Sequence, residues 1–241
     1  MTALKIKKSD LNENNYYKED ILTYQGDVTI IADLGIVRFK KSINVSGFLL
    51  AEAGSGIEAG EGIKAGEGIE AGWSIEAGWG IEAGEGIVAG EGIEAGSGIK
   101  AGWSIKAGNG IKAGEGIEAG YGIKAGNGIK AGEGIKAGEG IEAGSVIKAG
   151  WSIKAGNGIK AGEGIEAGYG IKAGWGIKAG EGIEAGSGII SGLLYFPAII
   201  KAKWIDVKLR ICAGFNVKNE CEIDAEIRNG TIILGKLKKV I

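Results

Sequence analysis

The side chains best suited to chemistry in this sequence are seven aromatics that recur at one repeated position: Trp73, Trp79, Trp103, Tyr121, Trp151, Tyr169 and Trp175. Exposed indole and phenol rings supply large, rigid contact areas and dominate interface energetics, so this pattern points to binding rather than bond-making. The alternative is a structural role, with rings that shield neighbouring backbone. A second set is acidic. Residues 55–96 hold nine glutamates (Glu58, Glu61, Glu67, Glu70, Glu76, Glu82, Glu85, Glu91 and Glu94) and one lysine, a balance of −8. Such a segment could dock on a basic surface, the nucleic-acid groove of a nuclease being one example, or simply keep the chain in solution.

Catalysis has far less to work with. There is no histidine, so a general base near neutral pH would have to be a carboxylate, a lysine or a cysteine, and the commonest zinc ligand is missing. Cys212 and Cys221 provide no metal framework and read as reduced thiols rather than a disulfide. Nothing assembles a nucleophile with a base and an orienting group. The expectation is a protein that is not an enzyme, with no catalytic residue, no metal and no cofactor. One trap must be set aside. Gly66 to Ala71, Gly-Glu-Gly-Ile-Glu-Ala, matches the dinucleotide fingerprint G-x-G-x-x-A by its letters. That motif needs one occurrence between a strand and a long helix, whereas here it recurs throughout an array.

The elements that position these residues follow from that array. Ile-x-Ala-Gly recurs 22 times without a break from Ile57 to Gly186, always six residues apart. The second position is Glu or Lys except at Val88, the fifth is Glu, Trp, Tyr, Asn or Ser, and the sixth is Gly except at Ser74, Ser104, Val146 and Ser152. In an extended chain Ile and Ala two residues later share a side, and the charged residue between them points the other way. Continued extension would carry the fifth-position Glu onto the dry side, at a cost. The chain must therefore bend, and the flanking glycines are expected to supply unusual dihedrals there. A helix is disfavoured, because six does not match a period of 3.6 and two glycines per hexad cost about 2 kcal/mol relative to alanine.

Each hexad is thus a short strand plus a corner, and the fold class is all-β: a β-solenoid, or β-helix, of six-residue repeats with β-rich caps at both ends. Three hexads per coil are favoured over two. A duplication of Ser97–Gly134 as Ser145–Gly182, offset by 48 residues, hints at two. Four regions follow: a polar and loose segment, 1–20; an N-terminal β cap, 21–56; the solenoid, 57–188; and a C-terminal β-rich cap, 189–241, with Tyr195, Phe196, Trp204 and Phe215. The polar N-terminus lacks the core of a signal peptide, and the most apolar stretch, Gly188 to Ile200, is too short for a spanning helix. A cytoplasmic protein without a membrane association is expected.

Three families share parts of this pattern. The leading aliphatic of each hexad resembles the hexapeptide-repeat acyltransferases, whose fold is a left-handed triangular β-helix; their catalytic histidine has no counterpart here. Ile43-Asn44-Val45-Ser46-Gly47 and the glycine–isoleucine rhythm resemble bactofilin-like polymer-forming proteins. The Ile-x-Ala-Gly-Trp-Gly array, with Ile200-Lys201-Ala202-Lys203 and Leu209-Arg210-Ile211-Cys212-Ala213-Gly214, resembles uncharacterised glycine-rich repeat proteins of bacterial prophages. That last resemblance implies a mobile-element factor, such as an inhibitor of a host defence protein. The expected partner is an unidentified protein. The alternative is a self-associating scaffold, a homo-oligomer. With no arginine in the array and no evident groove of mixed aromatic and basic residues, direct nucleic-acid binding is not expected.

Overall fold

A computed structural model describes residues 3–20, 22–192, 199–213 and 222–237, apart from the side chains of Leu209 and Leu234. The regular structure of the described chain is β-strand, short strands that alternate with tight corners, and the only helix is a single 3-10 turn at Lys8–Asp10. The strands of the array are built on the expected Ile-x-Ala motif: most are three residues long, such as Ile63–Ala65 and Ile69–Ala71, and some begin a residue earlier, such as Ser152–Ala155. In each, Ile and Ala are buried while the residue between them is exposed or half-buried. The chain is a β-solenoid. Two compact units, Met1–Gly120 and Tyr121–Ile241, are described in turn.

In the first unit, Ile75 pairs in parallel with Ile57 below and Ile93 above, and Ala77 with Ala59 and Ala95. Each coil therefore takes 18 residues, three hexads, and has three sides; the two-hexad geometry is excluded. One side carries Ser55–Ala59, Ile75–Ala77, Ile93–Ala95 and Ile111–Ala113. A second carries Ile63–Ala65, Ile81–Ala83, Ile99–Ala101 and Ile117–Ala119. The third carries Ile69–Ala71, Ile87–Ala89 and Ile105–Ala107. The interior is isoleucine stacked on isoleucine and alanine on alanine, no array isoleucine being more than 2% exposed. Burying one such isoleucine contributes on the order of 2 kcal/mol.

The corners differ from expectation in their cause. No array glycine adopts a positive φ, so unusual dihedrals are not why glycine is there. The glycine after alanine is required by close approach. A Cβ built on Gly108 would lie well inside 3.0 Å of the Gly90 carbonyl oxygen, and the same collision recurs along the array, at Gly78, Gly96, Gly120, Gly150 and Gly186 among others. The glycine before isoleucine has more room along the middle of the array, where a Cβ on Gly92 would sit 3.7 Å from the Gly110 oxygen and one on Gly140 3.6 Å from that of Gly158. Near the ends, at Gly68, Gly176, Gly182 and Gly188, Phe48 and the strand Ile199–Ala213 come closer than 3.2 Å. This asymmetry explains why serine or valine replaces glycine at the sixth position and never at the fourth. The ladder also runs on through the corner. Gly108 N donates to Ala89 O (3.1 Å), Trp103 N to Glu85 O (3.0 Å) and Ile75 N to Gly92 O (3.0 Å). Tight corners thus leave few backbone donors unpaired.

The lower end of this unit is closed by wider coils. Leu4–Ile6 pairs with Val28–Ile30, which pairs with Leu49–Ala51. Side chains join glycines in holding these corners, where Gly26, Gly35 and Gly54 do adopt a positive φ. Asp27 accepts from Phe48 N (2.9 Å), Ser55 accepts from Leu34 N (3.0 Å) and donates to Ile31 O (2.8 Å), and Ser55 is fully buried. The N-terminal segment is packed rather than loose. Ile6 is fully buried, and the buried Tyr17 ring lies 5.4 Å from that of Phe39. One apolar residue per coil suffices to seat it, which its polar composition conceals.

In the second unit the same 18-residue coil continues from Ile123 to Ser191. The chain then lies as one long strand, Ile199–Ala213, along three sides in succession, pairing with Gly176–Lys178, Gly182–Ala185 and Gly188–Ser191. A further strand, Glu222–Leu234, pairs in parallel on top of it. Ile200, Ile205, Val207, Ile211 and Ile223 keep the interior dry. Arg228 sits 4.5 Å over the Trp204 ring, a cation–π contact. Tyr195, Phe196, Phe215 and Cys221 lie outside the described residues.

Candidate binding surfaces

Position five of every hexad sits at a corner, and its side chain faces outward. The seven aromatics are 41% to 70% exposed, so each offers a substantial part of its ring. In the first unit they are dispersed: Trp73, Trp79 and Trp103 stand at three different corners. Trp79 N donates to Glu61 O and Trp103 N to Glu85 O. In the second unit two of them meet. Trp151 and Tyr169 occupy successive coils at one corner, with Tyr169 N bonded to Trp151 O at 2.7 Å. Tyr121 and Trp175 share another corner, separated by Glu139 and Asn157. The aromatic ladder is thus a two-rung step within this unit.

The acidic residues also sort by side. Glu58, Glu76 and Glu94 stand opposite one another in successive coils of one side. Glu61 and Glu91 lie at the corners that bound it, and Trp73 and Trp79 flank Glu76 in sequence and on the two edges. We refer to this as the acidic side. Arg38 bonds Glu58 at 2.9 Å below, Lys112 bonds Glu94 above, and Ser74 donates to Glu76 at 3.0 Å. The other four glutamates point elsewhere: Glu67 and Glu85 share a corner, Glu70 faces Val88, and Glu82 lies 3.4 Å from Lys64. A stretch contiguous in sequence is therefore five clustered residues and four dispersed ones.

A third surface was missed at the sequence level. In the second unit Lys136, Lys154 and Lys172 stack in successive coils. Trp151 and Tyr169 lie along one edge of this lysine side, and Trp175 lies on the other. The spacings Trp151/Lys154 and Tyr169/Lys172/Trp175 are in the sequence, but only an 18-residue coil brings them onto one face.

Elsewhere the outward columns are partly neutralised by ion pairs between coils. Glu142 is bonded by Lys160 at 2.9 Å and Lys124 at 3.3 Å, and Lys148 by Glu166 at 2.7 Å. Hydrogen bonds from Lys160 and then Lys124 hold the Glu142 carboxyl below the ordinary glutamate range. A depressed carboxyl contributes stability above its unfolded pKa and loses it as pH falls through the folded one. We expect an NMR titration of Glu142 to show a lowered midpoint that moves up in Lys160→Met. Because the pair is exposed, acid unfolding should barely change. Burial raises the pKa of the Cys212 thiol, countered in part by Arg210, so it carries little thiolate at neutral pH. Among the described residues no group of three His, Cys, Asp or Glu could hold a metal ion, and no helix is long and apolar enough to cross a membrane.

Fold and surface together define a three-sided β-solenoid with outward columns of charge and aromatic corners. No protein-family model, no curated protein and no solved structure matches the chain.

Proposed function

We propose that the chain is a non-enzymatic binding protein that offers its acidic side to a basic protein surface. The observation that carries this reading is the convergence of Glu58, Glu61, Glu76, Glu91 and Glu94 on one side and its edges, with Trp73 and Trp79 on either flank of Glu76. Clustered like charge steers an oppositely charged partner, and aromatic anchors on either edge supply short-range affinity. The frame beneath is a continuous ladder, so little ordering cost accompanies binding.

The resemblance to prophage repeat proteins supports the finer reading: a cytoplasmic factor of a phage or mobile element that inhibits a host defence protein. A groove shaped for phosphates is a surface of the right sign. Affinity purification from the native host, followed by mass spectrometry, tests this. A specific protein with a basic surface should be captured at low salt. It should be lost from the Glu76→Lys/Glu91→Lys chain and from Trp79→Ala, and kept by Trp103→Ala, whose corner lies away from the acidic side. Equal capture by all four chains, or capture of nothing, would remove the acidic side from consideration.

A further inference from the structure

Columns of like charge are costly here, because residues in successive coils stand directly opposite one another at a spacing of about 4.8 Å. Parts of the outward columns avoid this by alternation, as Lys64–Glu82, Glu94–Lys112 and Lys124–Glu142–Lys160 show. A run of Lys160, Lys178 and Lys201 is closed at its ends by Glu142 and Asp224. The lysine side is different. Lys154 faces Lys136 and Lys172, the next coil offers Ile190, and neither Lys154 nor Lys172 has a carboxylate partner among the described residues. The repulsion between Lys154 and Lys172 is therefore not offset by an ion pair of either.

The complement of this side is in the same sequence. We infer that the lysine side of unit Tyr121–Ile241 docks on the acidic side of unit Met1–Gly120 of a second copy. Both sides carry one charge per coil at the same rise, because both are rungs of the same parallel ladder. A lysine that meets one glutamate therefore brings the next lysine to the next glutamate. With Lys172 opposite Glu76, Lys154 falls opposite Glu58 or Glu94, depending on the relative direction of the two copies. The rung carrying Tyr169 and Trp175 then faces the rung carrying Trp73 and Trp79, which places aromatic anchors at the centre.

The ends of the two columns agree as well. The Lys136 rung is flanked in sequence by Glu133 and Glu139 at its corners, so it is net acidic. In either direction it meets a cation, because Arg38 bounds the glutamate column below and Lys112 bounds it above. A nucleic-acid backbone laid along the lysines would instead run its phosphates into Glu133 and Glu139. The net charges point the same way. Residues 1–120 hold 11 basic and 18 acidic residues, a balance of −7, and residues 121–241 hold 17 and 12, a balance of +5, which the total of −2 conceals.

Sedimentation velocity of the purified chain alone tests this, independently of any host partner. Concentration-dependent assembly should appear at low salt and recede as salt rises. Lys154→Glu/Lys172→Glu should weaken it by about tenfold or more, and Glu76→Lys/Glu94→Lys likewise. An equimolar mixture of the two variants should assemble again, because each keeps the side that the other has lost. Circular dichroism serves as the control: Glu94, Lys154 and Lys172 are exposed and Glu76 is half-buried on the outer face, so each variant should keep the β spectrum. A chain that stays monomeric at low salt, assembly indifferent to both variants, or a mixture that fails to recover would overturn the proposal. So would a chain that stays monomeric but binds a single-stranded oligonucleotide through Lys154 and Lys172.

Discussion

Gly108→Ala should lower the unfolding midpoint sharply, while Gly92→Ala, at the same corner one coil below, should leave it unchanged or raise it slightly. Both substitutions remove the same freedom from the unfolded chain, worth about 0.4–1 kcal/mol in favour of the variant. They differ only in what the new methyl meets. At Gly108 it collides with the Gly90 carbonyl, a backbone atom that cannot swing aside without opening the ladder, whereas at Gly92 the nearest atom is 3.7 Å away. Overpacking costs about 1–3 kcal/mol where side chains can yield, so a collision with fixed backbone belongs at or above the top of that range. Urea denaturation followed by far-ultraviolet circular dichroism would measure both. Equal effects at the two positions would mean that the coil-to-coil approach is not what selects glycine.

The second large effect is expected at Ile93→Ala. Ile93 is 1% exposed and sits between Ile75 and Ile111 in the interior column. Large-to-small core substitutions cost about 2–5 kcal/mol, with the spread set by how far the site can collapse. Here the surrounding wall is isoleucine and alanine held on a hydrogen-bonded ladder, with no long side chain to swing into the hole, so the upper half of that range applies. Hydrogen exchange should show the loss concentrated in the neighbouring coils, because a repeat array shares stability between nearest neighbours. Val88→Lys, on the outer face of the same unit, should change stability by no more than about 0.5 kcal/mol.

The strand limits were legible in the sequence because Ile and Ala are the only apolar positions of the hexad, and their two-residue spacing admits only an extended chain. The number of sides was not. Every hexad presents the same dry residues, so Ile75 could stack on Ile63 or on Ile57 with equal satisfaction, and the 48-residue duplication pointed towards the wrong one. The role of the glycines was half legible. Variation at Ser74, Ser104, Val146 and Ser152 marks the sixth position as tolerant, but the fourth position needs the neighbouring coil to explain it. The surfaces depended on the same missing number. Once the coil is 18 residues, Glu58, Glu76 and Glu94 fall into line and Glu67, Glu70, Glu82 and Glu85 leave them; Lys136, Lys154 and Lys172 become a column that adjacent-residue reading cannot see. At the N-terminus, Ile6 and Tyr17 were outweighed by polar neighbours, although single buried residues are all that a coil of this width requires.

The 18-residue ladder also bears on how the protein is made. Each rung of the array bonds to chain synthesised just before it, so a coil can close as soon as it clears the ribosome, without waiting for distant sequence. At about 5–20 residues per second a new coil emerges roughly every one to four seconds. The packed residues around Tyr17 and Phe39 come first and serve as the template. Throughout elongation the newest strand is an unpaired edge, open to other nascent chains, until Ile199–Ala213 and Glu222–Leu234 emerge and wind over it.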